Sequence, residues 1–157
     1  MLFRSLKRDY ELAIQASERE AYKRPGDQAA QLALQRIRYE YAASGILDPG
    51  ARGSIVNECR ERLEPLAERM PEASLLLYLV ERISRPDRAL AVLDQLEAAD
   101  PARQKRWTRE RAELLFALGR FEEIRALLLM RAHAFEGEDA TAGDYDWRSA
   151  LLWWTNG

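Results

Sequence analysis

Arg103, Lys105, Arg106, Arg109 and Arg111 put five cations within nine residues of the chain. On a helix, Lys105 and Arg109 share a face, as do Arg106 and Arg109. Fixed cations of this kind hold anions; alone they break no bonds. Three readings of them stand open. They form a solvated face that Glu110 and Glu113 partly neutralise, a surface for an acidic protein segment, or a contact for nucleic acid. The last calls for a broader basic stripe and a basic isoelectric point. This chain has a pI near 5.6 and a net charge of −2, so no nucleic acid is expected.

No catalytic constellation accompanies these cations. His133 is the only histidine and Cys59 the only cysteine. That leaves no zinc set with ligand spacing, no clear cysteine–histidine pair for nucleophilic work and no internal disulfide. Cys59 stands at helical spacing with Ile55 and Leu63, which marks it as a core residue. Asp139, Asp144 and Asp146 do not match a calcium loop, which needs more oxygen ligands at tighter spacing. Gly50-Ala51-Arg52-Gly53 is too short for a phosphate loop and lacks its lysine-serine ending. The expectation is a protein without enzymatic activity, cofactor or metal.

The end of the chain has a different character. From Glu136 to Gly157 five acidic residues face one basic one, a net charge of −4. Within it Trp147, Leu151 and Trp154 fall at i, i+4 and i+7, with Trp153 beside them. Asp144 or Asp146 can cap that helix and suit its positive end. Such a short helix is not stable alone. Burying three tryptophans at ~150–250 Å² each is worth on the order of 10 kcal/mol as an upper bound. The segment is therefore expected to pack: on the last hairpin as a cap, in a partner or second copy, or back across a groove with its acidic flank on the Lys105–Arg109 patch.

The elements that carry these residues read as helices almost end to end. Phe3, Leu6, Tyr10, Ile14, Ser17 and Ala21 mark a first amphipathic helix, broken at Pro25-Gly26-Asp27. Asp27 is a fair N-cap for a second, lined by Leu32, Ala33, Ile37, Tyr41 and Ala42. A loop is expected over Ile46–Gly53, with Ser54 capping a third helix whose stripe is Ile55, Cys59, Leu63 and Leu66 or Ala67. Pro65 predicts a kink or early end there. Pro71 and Pro86 start the next two helices at N1, where a missing N–H costs nothing. Leu75, Leu76, Leu79 and Ile83 line the first of them, Ala89, Leu90, Leu93 and Leu96 the second. Asp100-Pro101 restarts the chain into Trp107, Ala112, Leu115 and Leu118. Gly119 closes that helix, and Phe121, Ile124, Leu127, Leu128 and Met130 are assigned to the core side of a seventh. No apolar run approaches the ~18 residues of a membrane span, the N-terminus has no signal-peptide pattern, and a cytoplasmic location is the default. Arginine outnumbers lysine 21 to 3, a bias suggesting a GC-rich, bacterial source.

The Ser84–Leu93 stretch is echoed about 35 residues later by Leu118–Leu127, a period of helical hairpins. Over Met70 to Phe135, and loosely from Leu32, the chain resembles the tetratricopeptide repeat family. Gly119-Arg120-Phe121-Glu122-Glu123 looks like its Gly-x-aromatic turn, Ala112 and Ala89 like its small helix positions, and Asp100-Pro101 like a repeat end. Ile124 stands where alanine is usual, Ser84-Arg85-Pro86 replaces one turn, and no proline closes the last repeat. The resemblance implies an all-α fold of antiparallel helical hairpins stacked as a right-handed solenoid. Residues 1–135 would form the hairpins, 136–143 an acidic linker and 144–157 an aromatic capping helix, within a single domain.

The resemblance also implies that the first helix of each hairpin lines a concave surface, where Lys105, Arg106 and Arg109 meet a ligand carboxylate. Family members that grip a C-terminal carboxylate also use asparagines in earlier repeats, absent here from Leu32–Tyr41 and Ala73–Ile83. The expected function is a scaffold or adaptor that binds a peptide or helix of a partner protein. Its contact residues would be Lys105, Arg106, Arg109, Glu113, Trp147, Leu151, Trp153 and Trp154, and the aromatic tail is a route to a homo-oligomer. The alternatives are a small bacterial secretion or assembly chaperone, an accessory subunit of a membrane-associated complex without direct membrane insertion, and a helical RNA-binding module.

Overall fold

The computed structural model describes residues 2–132, and over these the fold is all-α. Seven α-helices follow one another: α1 (Leu2–Lys23), α2 (Gln28–Ala43), α3 (Pro49–Ala67), α4 (Pro71–Ser84), α5 (Pro86–Ala99), α6 (Gln104–Ala117) and α7 (Phe121–Ala132), with a 3-10 turn at Pro101–Arg103 before α6. No strand occurs among the described residues. The chain divides into two compact units, residues 1–98 and residues 99 onward.

Local chemistry places the breaks. Asp27 caps α2, its carboxylate accepting from the Ala30 N–H at 3.0 Å. Asp48 does the same for α3 through the Ala51 N–H at 3.0 Å, and this backbone donor holds its carboxyl below the usual range. The third helix thus begins at Pro49, not at Ser54. The Asp48 cap and Pro49 at N1 outweigh the ~1 kcal/mol that each of Gly50 and Gly53 costs inside a helix. Ser54, already within α3, turns its hydroxyl to the Gly50 carbonyl at 3.2 Å. α3 runs through Pro65 and stops at Ala67. Pro71 and Pro86 open α4 and α5 as expected.

In the first unit the cross-helix contacts run in opposite directions. From Ala21 to Glu11 on α1, the partners on α2 advance from Gln31 to Tyr41. The same reversal joins α2 to α3, through Arg38–Glu58 and Gln35–Cys59, and α3 to α4, through Arg60–Ser84 and Ala67–Ser74. Neighbouring helices are therefore antiparallel, as short connections between packed helices require. Their core gathers Leu32, Val56, Cys59, Leu63, Ala73 and Val80. Within the same unit α5 joins α3 and α4 through Val92, which packs against that cluster, and through an Arg88–Glu64 pair at 3.6 Å.

The apolar stripes hold in part. Ala89, Leu90, Leu93 and Leu96 are all buried. On α4, Leu76 is buried but Leu75, Leu79 and Ile83 only partly so, because Ala73, Leu77, Tyr78 and Val80 take the interior. On α2, Ala33 is exposed. Lying between α1 and α3, this helix buries Leu34, Gln35 and Arg38 instead. Leu6 is exposed, and burial along α1 deepens only towards Ala21.

In the second unit α6 and α7 form a hairpin closed by a Schellman turn. The Gly119 N–H donates to the Phe116 carbonyl and the Arg120 N–H to the Leu115 carbonyl, at 3.0 and 2.9 Å. That geometry needs the left-handed backbone that Gly119 adopts at φ +68°. Ile124, Leu127 and Leu128 are buried, whereas Phe121 and Met130 are exposed. Residues 127–130 are four consecutive apolar positions, and a helix can turn only part of such a run inward.

Candidate functional site

α6 is two-faced. Trp107, Ala112, Leu114 and Leu115 are buried, and the Trp107 indole N–H donates to the Asp100 carbonyl at 3.0 Å. This bond fixes the start of α6 to the turn before it. Arg106, Arg109 and Glu113, at i, i+3 and i+7, are exposed on the other side. The Arg106 guanidinium lies 5.1 Å from the centre of the Trp107 ring, a cation–π contact that orients the arginine. Arg109 donates through Nε to Glu113 Oε1 at 3.2 Å, an exposed pair worth only ~0.3–0.5 kcal/mol.

The structure thus brings Arg106, Arg109 and Glu113 together on one helix face. Lys105 lies in the first turn of α6, its side chain outside the described residues. Arg103 precedes α6 in the 3-10 turn and pairs with Asp100 Oδ2 at 3.1 Å. Arg111 is half-buried. The basic cluster therefore divides, and its exposed cations on α6 include Arg106 and Arg109. Trp147, Leu151, Trp153 and Trp154 lie outside the described residues, as does His133.

Two ionic networks in the first unit escape a reading of apolar periodicity. Arg38, on α2, reaches Glu18 of α1 at 2.7 Å and Glu58 of α3 at 2.8 Å, tying three helices through one guanidinium. It lies beside an open groove of about 560 Å³, bordered by Glu18, Tyr22, Leu34, Gln35, Glu58 and others. Arg60 of α3 pairs with Glu81 of α4 at 2.7 Å, and both are buried. Its other nitrogens donate to Asn57 and Ser84. The sequence marks neither partner: Arg60 stands among charges in Glu58-Cys59-Arg60-Glu61-Arg62, and Glu81 begins the Glu81-Arg82 pair just after the apolar run Leu75–Val80.

Cys59 is fully buried in the core, its thiol 3.8 Å from the Gln35 carbonyl. Burial pushes the thiol up to about 12, which keeps it protonated and a poor nucleophile. The unfolded chain's thiol ionises near 8.5. Above about pH 9 the folded state keeps a proton that the unfolded state has lost, so stability falls as pH rises towards 12. The slope from this group is about 1.4 kcal/mol per pH unit, with no contribution below its unfolded pKa. Cys59→Ala removes that slope, read as the difference in urea midpoint between pH 8 and pH 10. A thiol reagent at pH 8 labels the native chain only as fast as it opens.

Among the described residues no helix is long and apolar enough to cross a membrane. The chain matches no family model, no curated protein and no solved structure.

Proposed function

We propose that this chain is a non-catalytic protein-binding module, a TPR-like, right-handed array of helical hairpins that takes an acidic peptide or helix of a partner protein against α6. One observation carries the reading. Arg106 and Arg109 are exposed on a helix whose opposite side, from Trp107 to Leu115, is anchored in the interior. Such a helix presents fixed cations on a rigid support, which lowers the entropy lost on binding. Guanidinium groups suit a carboxylate because their planar donors meet both its oxygens. The antiparallel hairpins and the Gly119 turn agree with the repeat architecture. Cytoplasmic placement belongs to the same proposal.

The test is a comparison of wild-type chain with Arg106→Glu/Arg109→Glu, both positions being exposed. The double variant keeps its helical circular dichroism. It loses at least about tenfold in affinity, or 1.4 kcal/mol, for the protein that wild type captures by pull-down. Unchanged affinity removes α6 from the binding surface. Salt-dependent capture of RNA or heparin instead supports a nucleic-acid reading and overturns this one.

A further inference from the structure

The groove beside Arg38 holds polar groups that the fold of the first unit does not use. α1 and α3 both pack on α2, and all three helices border the groove, whose volume is about 560 Å³. Leu34, Gln35 and Arg38 are its buried members on α2. Arg38 is fully engaged, because its nitrogens meet Glu18, Glu58 and Gln35 Oε1. Gln35 is not. It is 1% exposed, yet among the described residues its amide NH2 meets no acceptor. A buried donor in that state is rare in folded chains and points to a ligand. Arg62 of α3 borders the same groove, is exposed and pairs with no carboxylate among the described residues. The Cys59 thiol lies 3.8 Å from the Gln35 carbonyl, and Arg62 follows Cys59 by three residues. The Arg62 side chain therefore starts about one helical turn from Gln35.

We propose that this groove binds a small organic acid, its carboxylate taken by the Arg62 guanidinium and the Gln35 amide and its flat apolar body lying on Leu34, Ala21 and the Tyr22 ring. Charge sets the class. Glu18 and Glu58 outnumber Arg38 by one, and Arg62 restores the balance. One unspent cation matches one carboxylate, whereas a dianion meets two flanking carboxylates with no second free cation to offset them. Size agrees. From Gln31 to Arg38 the groove follows seven steps of α2, about 10 Å, and its volume falls within the roughly 300–1,000 Å³ of small-molecule sites. That length suits a small acid and is short for a partner helix. Tyr22 is 88% exposed and offers a ring face to a flat body. Nothing in this proposal rests on a partner at α6.

Proton–nitrogen correlation spectra of the full chain, titrated with hydrocinnamate, test it. The Gln35 side-chain amide signal shifts and saturates with a Kd on the order of 1 mM, as a ligand of this size allows. Hydrocinnamyl alcohol keeps the body and lacks the charge, and it binds about three- to fivefold more weakly. Arg62→Gln weakens hydrocinnamate by the same factor, and Tyr22→Ala weakens both probes alike. Both positions are exposed and tied to no other described residue, so the variants keep the wild-type fold. The proposal is overturned by the absence of a saturable shift at Gln35 up to about 10 mM, by equal affinity for acid and alcohol, or by wild-type affinity in Arg62→Gln. Tighter binding of phenyl phosphate than of hydrocinnamate also overturns it. So does a shift produced only by a blocked phenylalanine–glutamate dipeptide, since the occupant is then a segment of a partner protein.

Discussion

Replacing Arg60 with leucine lowers the unfolding free energy by about 3–5 kcal/mol, the usual cost of leaving a buried charge without its partner. The side chains of Arg60 and Glu81 are 7% and 3% exposed, so water does little to screen the loss. Replacing both partners with leucine is far less damaging than replacing one. Glu81 Oε2 is buried and accepts no hydrogen bond, so the pair already bears an unrecovered desolvation cost. Asn57 and Ser84, which Arg60 also binds, are exposed and can turn to water. Urea midpoints of the two single variants and the double variant check this. With a slope of about 1–3 kcal/mol per molar, the single variants shift by one molar or more, and the double recovers most of the shift. A double variant as unstable as the worse single would show that the site rejects leucine by shape, not by charge.

The helix breaks were legible because they are local. Asp27, Pro71, Pro86 and Gly119 each act within a few residues through a cap, a fixed φ or a left-handed turn. The start of α3 was misread because Asp48 and Ser54 are both fair caps, and Gly50 and Gly53 between them look like loop. Only the actual Asp48–Ala51 bond decides. Which side of α7 turns inward was hidden for another reason. Residues 127–130 are apolar without a gap, so the pattern has no polar side to exclude. The Arg60–Glu81 and Glu18–Arg38–Glu58 ties were out of reach because they join residues twenty or more apart in sequence, and periodicity counts only what lies along one helix. The exposed pair Arg106 and Arg109 was readable from spacing alone, since it and its Glu113 neighbour belong to a single helix face. Its meaning for a partner was not, because a solvated face and a binding face have the same spacing.

Leu63→Ala removes about 2–5 kcal/mol of stability, a loss set by packing alone. Leu63 is fully buried on α3 within the cluster that also holds Cys59, Ala73, Leu76 and Val80. That cluster is built from α2, α3 and α4, and its small members Ala42 and Ala73 cannot expand into a gap left there. The ionic tie at Arg60 and the Ala67–Ser74 bond at 2.9 Å pin α3 and α4 on either side of Leu63. With the helices held, collapse is limited, and the cost lies towards the upper half of that range. Leu63→Met, which nearly conserves volume, costs under about 1.5 kcal/mol. The comparison separates cavity from chemistry, because both replacements are apolar. Equal losses for alanine and methionine would show that shape at this site, and not the volume it fills, governs the α3–α4 contact.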